Sequence, residues 1–120
     1  MEKQFSFEKL KAWQYSRRLV KLVYKLVKKL PKEETYALSD QIRRAIVSVS
    51  SNIAEGSGRM SKAEQRHFYE IAYGSLMEVY NQLLIAYDLE YIYKSDIDNI
   101  KEPIWMTAKV ISALRNSIKD

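Results

Sequence analysis

Gln41-Ile42-Arg43-Arg44-Ala45-Ile46-Val47-Ser48-Val49-Ser50-Ser51-Asn52-Ile53-Ala54-Glu55-Gly56 reads as one amphipathic helix. Ile42, Ala45, Ile46, Val49 and Ile53 recur at helical spacing and make an apolar stripe. Gln41, Arg44, Ser48, Asn52 and Glu55 follow steps of three and four and make a second stripe beside it. These are short hydrogen-bonding groups rather than the Lys and Glu of a solvated face, which suits a half-buried seam between helices. Gly56 and Gly58 are expected to stop the helix.

Outward from that stretch, three more periodic segments are separated by short breaks. The first helix is expected from about Phe7 to Leu30, with Trp13, Val20, Val23, Val27 and Leu30 as its main stripe. Leu19, Leu22 and Leu26 widen it. Pro31 ends it, and Thr35 or Ser39 is the expected N-cap of the second helix, which runs to about Glu55. Ser61 with Glu64 makes a capping box for a third helix reaching about Glu90. Its core stripe is Phe68, Ile71, Ala72, Ser75, Val79, Leu83 and Ala86. A second stripe of Tyr69, Tyr73, Leu76, Tyr80, Leu84 and Tyr87 adjoins it, and this predicts an oligomer interface. The bland reading is that these side chains cap the core with their polar tips in water. Ser95 with Asp98 is expected to cap a fourth helix to about Lys119, kinked or restarted at Pro103.

Short breaks make consecutive helices antiparallel neighbours, so the expected fold is all-α, an up-down-up-down four-helix bundle. Residues 1–120 form one domain. A chain of this length buries roughly two-thirds of its unfolded surface, enough for a core without staples. It has no Cys, which excludes disulfides and thiolate sites and fits a reducing cytoplasm. No run is long and apolar enough for a membrane span, and the first residues lack the apolar stretch of a signal peptide.

The net charge of +5 is unevenly spread: residues 1–60 carry thirteen Lys/Arg against six Asp/Glu, residues 61–120 seven against nine. No acidic residue interrupts the first helix between Glu8 and Glu33. Its outer face is Arg17, Arg18, Lys21, Lys25, Lys28 and Lys29. Such a face fits a polyanion, and it fits a merely solvated helix. Arg43 and Arg59 flank the motif as secondary cations.

Chemistry is scarce. His67 is the only histidine, with no Cys and no second His to join it in a metal site, and no acid–base pair stands out. Gly56-Ser57-Gly58 lacks the lysine of a P-loop, and Gly74-Ser75 sits mid-helix. No catalytic residue, metal ligand or cofactor is expected, and the chain reads as a non-enzyme. Arg44 near Glu78, with Gln41, Ser48, Asn52 and Glu55, is expected to form a structural polar seam between the second and third helices.

Gln-x-Arg-Arg-Ala-x-x-Ser-x-x-x-Asn-Ile-Ala-Glu-Gly at 41–56 resembles the signature of small bacterial four-helix-bundle proteins, with Gly74-Ser75-x-x-Glu78 downstream. Phe7–Trp13 and Leu30-Pro31 extend the likeness. That family is named after open reading frames in intervening sequences of 23S rRNA genes. It is similar also to the accessory variability determinant proteins of diversity-generating retroelements. The resemblance implies a four-helix bundle and a ring-shaped homo-oligomer, a pentamer. It further implies a nucleic-acid-binding accessory role, with a protein partner such as a reverse transcriptase. Two functions follow: an RNA- or DNA-binding module using the basic surface, or a homo-oligomeric scaffold for an acidic protein partner.

Overall fold

In the computed structural model, which describes residues 2–119, four helices account for most of the chain. They are α1 (Lys11–Val27), α2 (Leu38–Ser57), α3 (Lys62–Asp88) and α4 (Lys94–Ser117), with 3-10 turns at Ser6–Lys9 and Lys32–Glu34. No strand occurs among the described residues. Each helix packs on two others: α1 on α2 and α4, and α3 on α2 and α4. At 1.5 Å per residue the 27 residues of α3 extend about 40 Å, most of the 46 Å long axis.

The core follows from the apolar periodicity. Leu19 and Val23 of α1 lie in it with Ile42, Ile46, Val49 and Ile53 of α2. Ala72, Leu76, Val79 and Leu83 of α3 and Ile104 and Ile111 of α4 complete it. Burying each such side chain contributes roughly 1.5–3 kcal/mol for Val, Leu or Ile. On α1, Val23, Val27 and Leu30 of the expected main stripe are buried, with Leu19 and Leu26 beside them, while Trp13 and Val20 are half-buried and Leu22 is exposed. Packing against helices on both flanks sets the buried arc, not the largest side chain.

The helix ends depart from expectation for local reasons. Phe7 does not begin α1. Phe5 and Phe7 stack at 6.3 Å, Phe7 meets the Trp13 ring edge-on at 5.0 Å, and extended Leu10 separates this turn from the helix. Neither Thr35 nor Ser39 caps α2: Ala37 holds the cap position, and Glu34 Oε1 accepts from the Leu38 N–H at 3.2 Å. The turn after Pro31 delivers that carboxylate to the helix start. Ser39 is buried inside the first turn.

Gly56 lies within α2 rather than ending it. A Cβ there would sit 2.8 Å from Tyr69 Cε1 and 2.9 Å from Phe68 Cβ, so its role is close approach of α3. Gly58 takes φ −90°, an ordinary right-handed value. Ser61 caps α3 as expected, accepting from the Glu64 N–H at 3.2 Å. The far end of α3 closes on Glu90 at φ 67°. The Tyr91 N–H donates to Ala86 O and the Glu90 N–H to Tyr87 O, both at 2.9 Å. That is the paired-bond ending usually given to glycine. Ser95 does not cap α4: Tyr93 does, its N–H bonded to Asp96 Oδ2 at 2.8 Å. Pro103 sits within continuous α4, and the Thr107 hydroxyl donates to its carbonyl at 2.8 Å.

Candidate nucleic-acid interface

On α1, turns of 3.6 residues bring Lys21, Lys25 and Lys28 to one outer side, spread over about 10 Å. All three are exposed, and none forms an ion pair among the described residues. Arg17 and Arg18 are exposed too, but each is steadied by a ring: Arg17 lies 5.2 Å from the centre of Trp13, and Arg18 5.3 Å from that of Tyr15.

The other expected cations separate from this row. Lys29 Nζ lies 2.8 Å from Asp96 Oδ1 and 5.7 Å from the Tyr93 ring centre. Its hydrogen bond holds the Asp96 carboxyl below its ordinary range; burial opposes this, and the Tyr93 N–H and the lysine charge add to it. Arg59 stacks on Phe68 at 4.7 Å and faces Glu55 at 3.5 Å and Glu64 at 3.9 Å, bracing the α2–α3 corner. Arg43 donates to the Thr35 carbonyl at 3.1 Å.

Arg43 also lines an open groove of about 550 Å³ on the outer side of α2. Arg44, Ser48, Ser51 and Asn52 share it, and Tyr24 of α1 forms its other wall. Tyr24 is three residues from Lys21 and four from Lys28, so groove and lysine row are neighbours on one surface. Asp40 enters the groove but is held by Arg44 at 2.9 Å. Sequence alone assigned neither Tyr24 nor Ser51 a binding role. The clue was the spacing Arg44, Ser48, Ser51, a polar face beside the apolar stripe.

The polar seam is smaller than expected. Ser48 Oγ and Ser75 Oγ are 3.0 Å apart, and the Asn52 amide donates to Ser48 O at 2.8 Å and to Ser48 Oγ at 2.9 Å. Arg44 does not reach Glu78; its side chain is 80% exposed, and Gln41, Glu55 and Glu78 are exposed as well. Two serines allow a tight crossing, which leaves the longer side chains at its edge. Gly74 has no atom within 4 Å of an added Cβ and is not a point of close approach.

The tyrosine-rich stripe of α3 is also corrected. Tyr69 (3% exposed) and Leu76 (0%) belong to this chain's own core, and Tyr80 and Leu84 are half-buried against it. Only Tyr73 and Tyr87 are exposed. Burial raises the Tyr69 hydroxyl above its ordinary pKa. Tyr69 packs against Gly56 of α2, and Tyr73 and Tyr80 border a groove shared with α4.

Among the described residues no cluster of three His, Cys, Asp or Glu could hold a metal, and no helix is long and apolar enough to cross a membrane. His67 is an exposed side chain on α3.

Comparison with known proteins adds a family. The model of the 23S rRNA-intervening sequence proteins matches residues 8–113. Among solved structures, the chain is similar to a protein of unknown function from the S23 ribosomal protein family of Bacteroides thetaiotaomicron. That likeness has a TM-score of 0.78 at 23% identity, over 87% of this chain and 97% of the other. At that identity it speaks for the fold alone. No curated protein matches the chain.

Proposed function

Since the chain belongs to the 23S rRNA-intervening sequence protein family, we propose that it is a non-enzymatic, RNA-binding four-helix bundle of the reducing cytoplasm. The observation that carries this reading is the row Lys21, Lys25 and Lys28, without an ion pair among the described residues and exposed beside the arginine-bearing groove of α2. Lysines at this spacing meet phosphates, while Arg17, Arg18 and Arg43 extend the positive field. No base-reading module accompanies them, so recognition is of backbone charge and shape.

The up-down-up-down course is part of the proposal. It is supported by contacts that pair the end of one helix with the start of a neighbouring one. Gly56 meets Tyr69, Glu70 meets Arg115, and Lys29 meets Asp96 across the α1–α4 side. Self-association into the ring-shaped pentamer that the family likeness implies also belongs here. With Tyr69 and Leu76 of the tyrosine stripe buried in this chain's own core, we place the contact on the outer side of α3, where Ile71 and Ile85 are exposed. Light scattering is expected to give a mass several times 14.1 kDa, and Ile71→Glu with Ile85→Glu to return it to the monomer.

The test of RNA binding is a salt titration with a single-stranded oligoribonucleotide. Affinity is expected to fall linearly in log–log form, by about 0.7 per phosphate neutralised. Replacing Lys21, Lys25 and Lys28 by Gln is expected to lower the slope by about 2 and weaken binding to all sequences. Equal binding by parent and triple variant across the salt range defeats the proposal.

A further inference from the structure

A second groove lies on another side of the bundle, between α3 and α4, and has a volume of about 490 Å³. Its floor and walls are Tyr73, Met77 and Tyr80 from α3 and Ile104, Trp105 and Ala108 from α4. Trp105 is 60% exposed. So much apolar surface gathered in one trough, including a tryptophan, is a mark of an interaction site on a water-facing surface. The sequence reading had placed neither Trp105 nor Met77 in any role.

The charges of this groove all have one sign. Lys101 and Lys109 line it, no Asp or Glu does, and neither lysine forms an ion pair among the described residues. They stand eight residues apart on α4, about 12 Å or slightly more than two helical turns. Beyond Ser112 the trough continues into a smaller cleft of about 160 Å³, bordered by the Arg115–Glu70 pair at 2.9 Å. From Lys101 to Arg115 the α4 wall runs about 21 Å.

We propose that this groove docks an acidic amphipathic helix of a second, different protein. Apolar side chains of that helix at i, i+3 or i+4, and i+7 fill the floor between Tyr73 and Trp105. Carboxylates two turns apart reach Lys101 and Lys109. Methionine beside flat rings lets the floor adjust to side chains of differing shape. A nucleic-acid strand fits less well, because cations occur at only two points and the floor is apolar. A second copy of this chain also fits less well. Its α3 has Glu70 and Glu78 at the same eight-residue spacing, but Glu70 is held by Arg115. The inference is independent of the RNA-binding surface on α1.

Trp105 makes the test direct. In a Trp13→Phe background it is the sole tryptophan, and its emission reports the groove. The probe is a designed amphipathic peptide of about sixteen residues, with leucines at helical spacing and glutamates eight apart; its control carries lysines in place of the glutamates. The acidic peptide is expected to shift the Trp105 emission to the blue with micromolar affinity, and the basic control to bind at least about tenfold more weakly. Lys101→Glu with Lys109→Glu should reverse the preference while the far-ultraviolet circular dichroism stays unchanged. The proposal is overturned if neither peptide shifts the emission at about millimolar concentration, or if both bind equally. It is also overturned if dilution of the protein alone moves the emission, which means a second copy fills the groove. Displacement of the acidic peptide by an oligoribonucleotide in the Lys21, Lys25, Lys28→Gln variant overturns it too, by assigning the groove to nucleic acid.

Discussion

The ammonium of Lys29 lies 2.8 Å from Asp96 Oδ1, joining the chain just past the end of α1 to the first turn of α4. The same carboxylate accepts the Tyr93 N–H through Oδ2, so a single side chain caps α4 and ties it to α1. Asp96 is depressed below its ordinary value of 3.8, first by the Lys29 hydrogen bond. A depressed acid stabilises the fold above its unfolded pKa and loses that contribution as pH falls through the folded one. Thermal midpoints of the parent are therefore expected to fall on acidification below about pH 4. Asp96→Asn should start lower at pH 7 and show a shallower decline, and parallel curves would contradict this assignment.

Lys29→Gln separates stability from binding. It leaves Asp96 with its α4 cap but without its cation. Denaturant unfolding is expected to show a loss of up to about 1 kcal/mol, since Lys29 is partly exposed. The RNA salt slope should change less than for Lys21→Gln. A larger binding defect at Lys29 would return it to the phosphate-contacting row.

Two glycines of similar sequence context should respond oppositely to alanine. Gly56→Ala forces a methyl against Tyr69 and Phe68 and is expected to destabilise by about 1–3 kcal/mol. Gly74→Ala meets open space and should stabilise by roughly 0.5–1 kcal/mol through reduced backbone entropy in the unfolded chain. Urea unfolding of both variants at matched protein concentration tests the contrast.

Glu90 holds a left-handed conformation at the end of α3 with both closing hydrogen bonds formed. Glycine adopts that conformation without the Cβ penalty of about 1–2 kcal/mol. Glu90→Gly is accordingly expected to raise stability by about 1 kcal/mol, read as a higher urea midpoint at unchanged slope.

Arg44 and Glu78 should prove energetically independent. Each is exposed, and Arg44 pairs with Asp40 on its own helix. Arg44→Ala and Glu78→Ala are each expected to change stability by less than about 0.5 kcal/mol and to add in the double variant. A coupling energy above about 1 kcal/mol would mean the two side chains meet.

The apolar period located the helices because it records burial, and burial of Ile42, Ile46, Val49 and Ile53 is what fixes α2 in place. Helix ends were less legible. The cap of α2 is Glu34, a side chain from the preceding turn, and that of α4 depends on Asp96, which Lys29 holds from α1. Both carboxylates lie within four residues of the N–H they accept from, but neither N-cap residue, Ala37 or Tyr93, makes the side-chain cap that would mark the helix start. A tertiary contact separated the cations: Lys28 and Lys29 are neighbours in sequence, yet among the described residues only Lys29 finds a carboxylate from another helix. The groove at Trp105 was hidden for a related reason, being a property of two helices side by side.

The contact of Gly56 with the rings at 68 and 69 ties three positions into one inheritance. A side chain can enter position 56 only if Tyr69 and Phe68 draw back, since the missing methyl is the gap that the ring fills. Substitutions at either end are therefore tolerated in company and selected against alone. Over evolutionary time the corner between α2 and α3 should drift as a matched set, giving covarying columns among descendants of this sequence. Grafting one helix of such a relative into this chain without the other should leave the hairpin mismatched at that point.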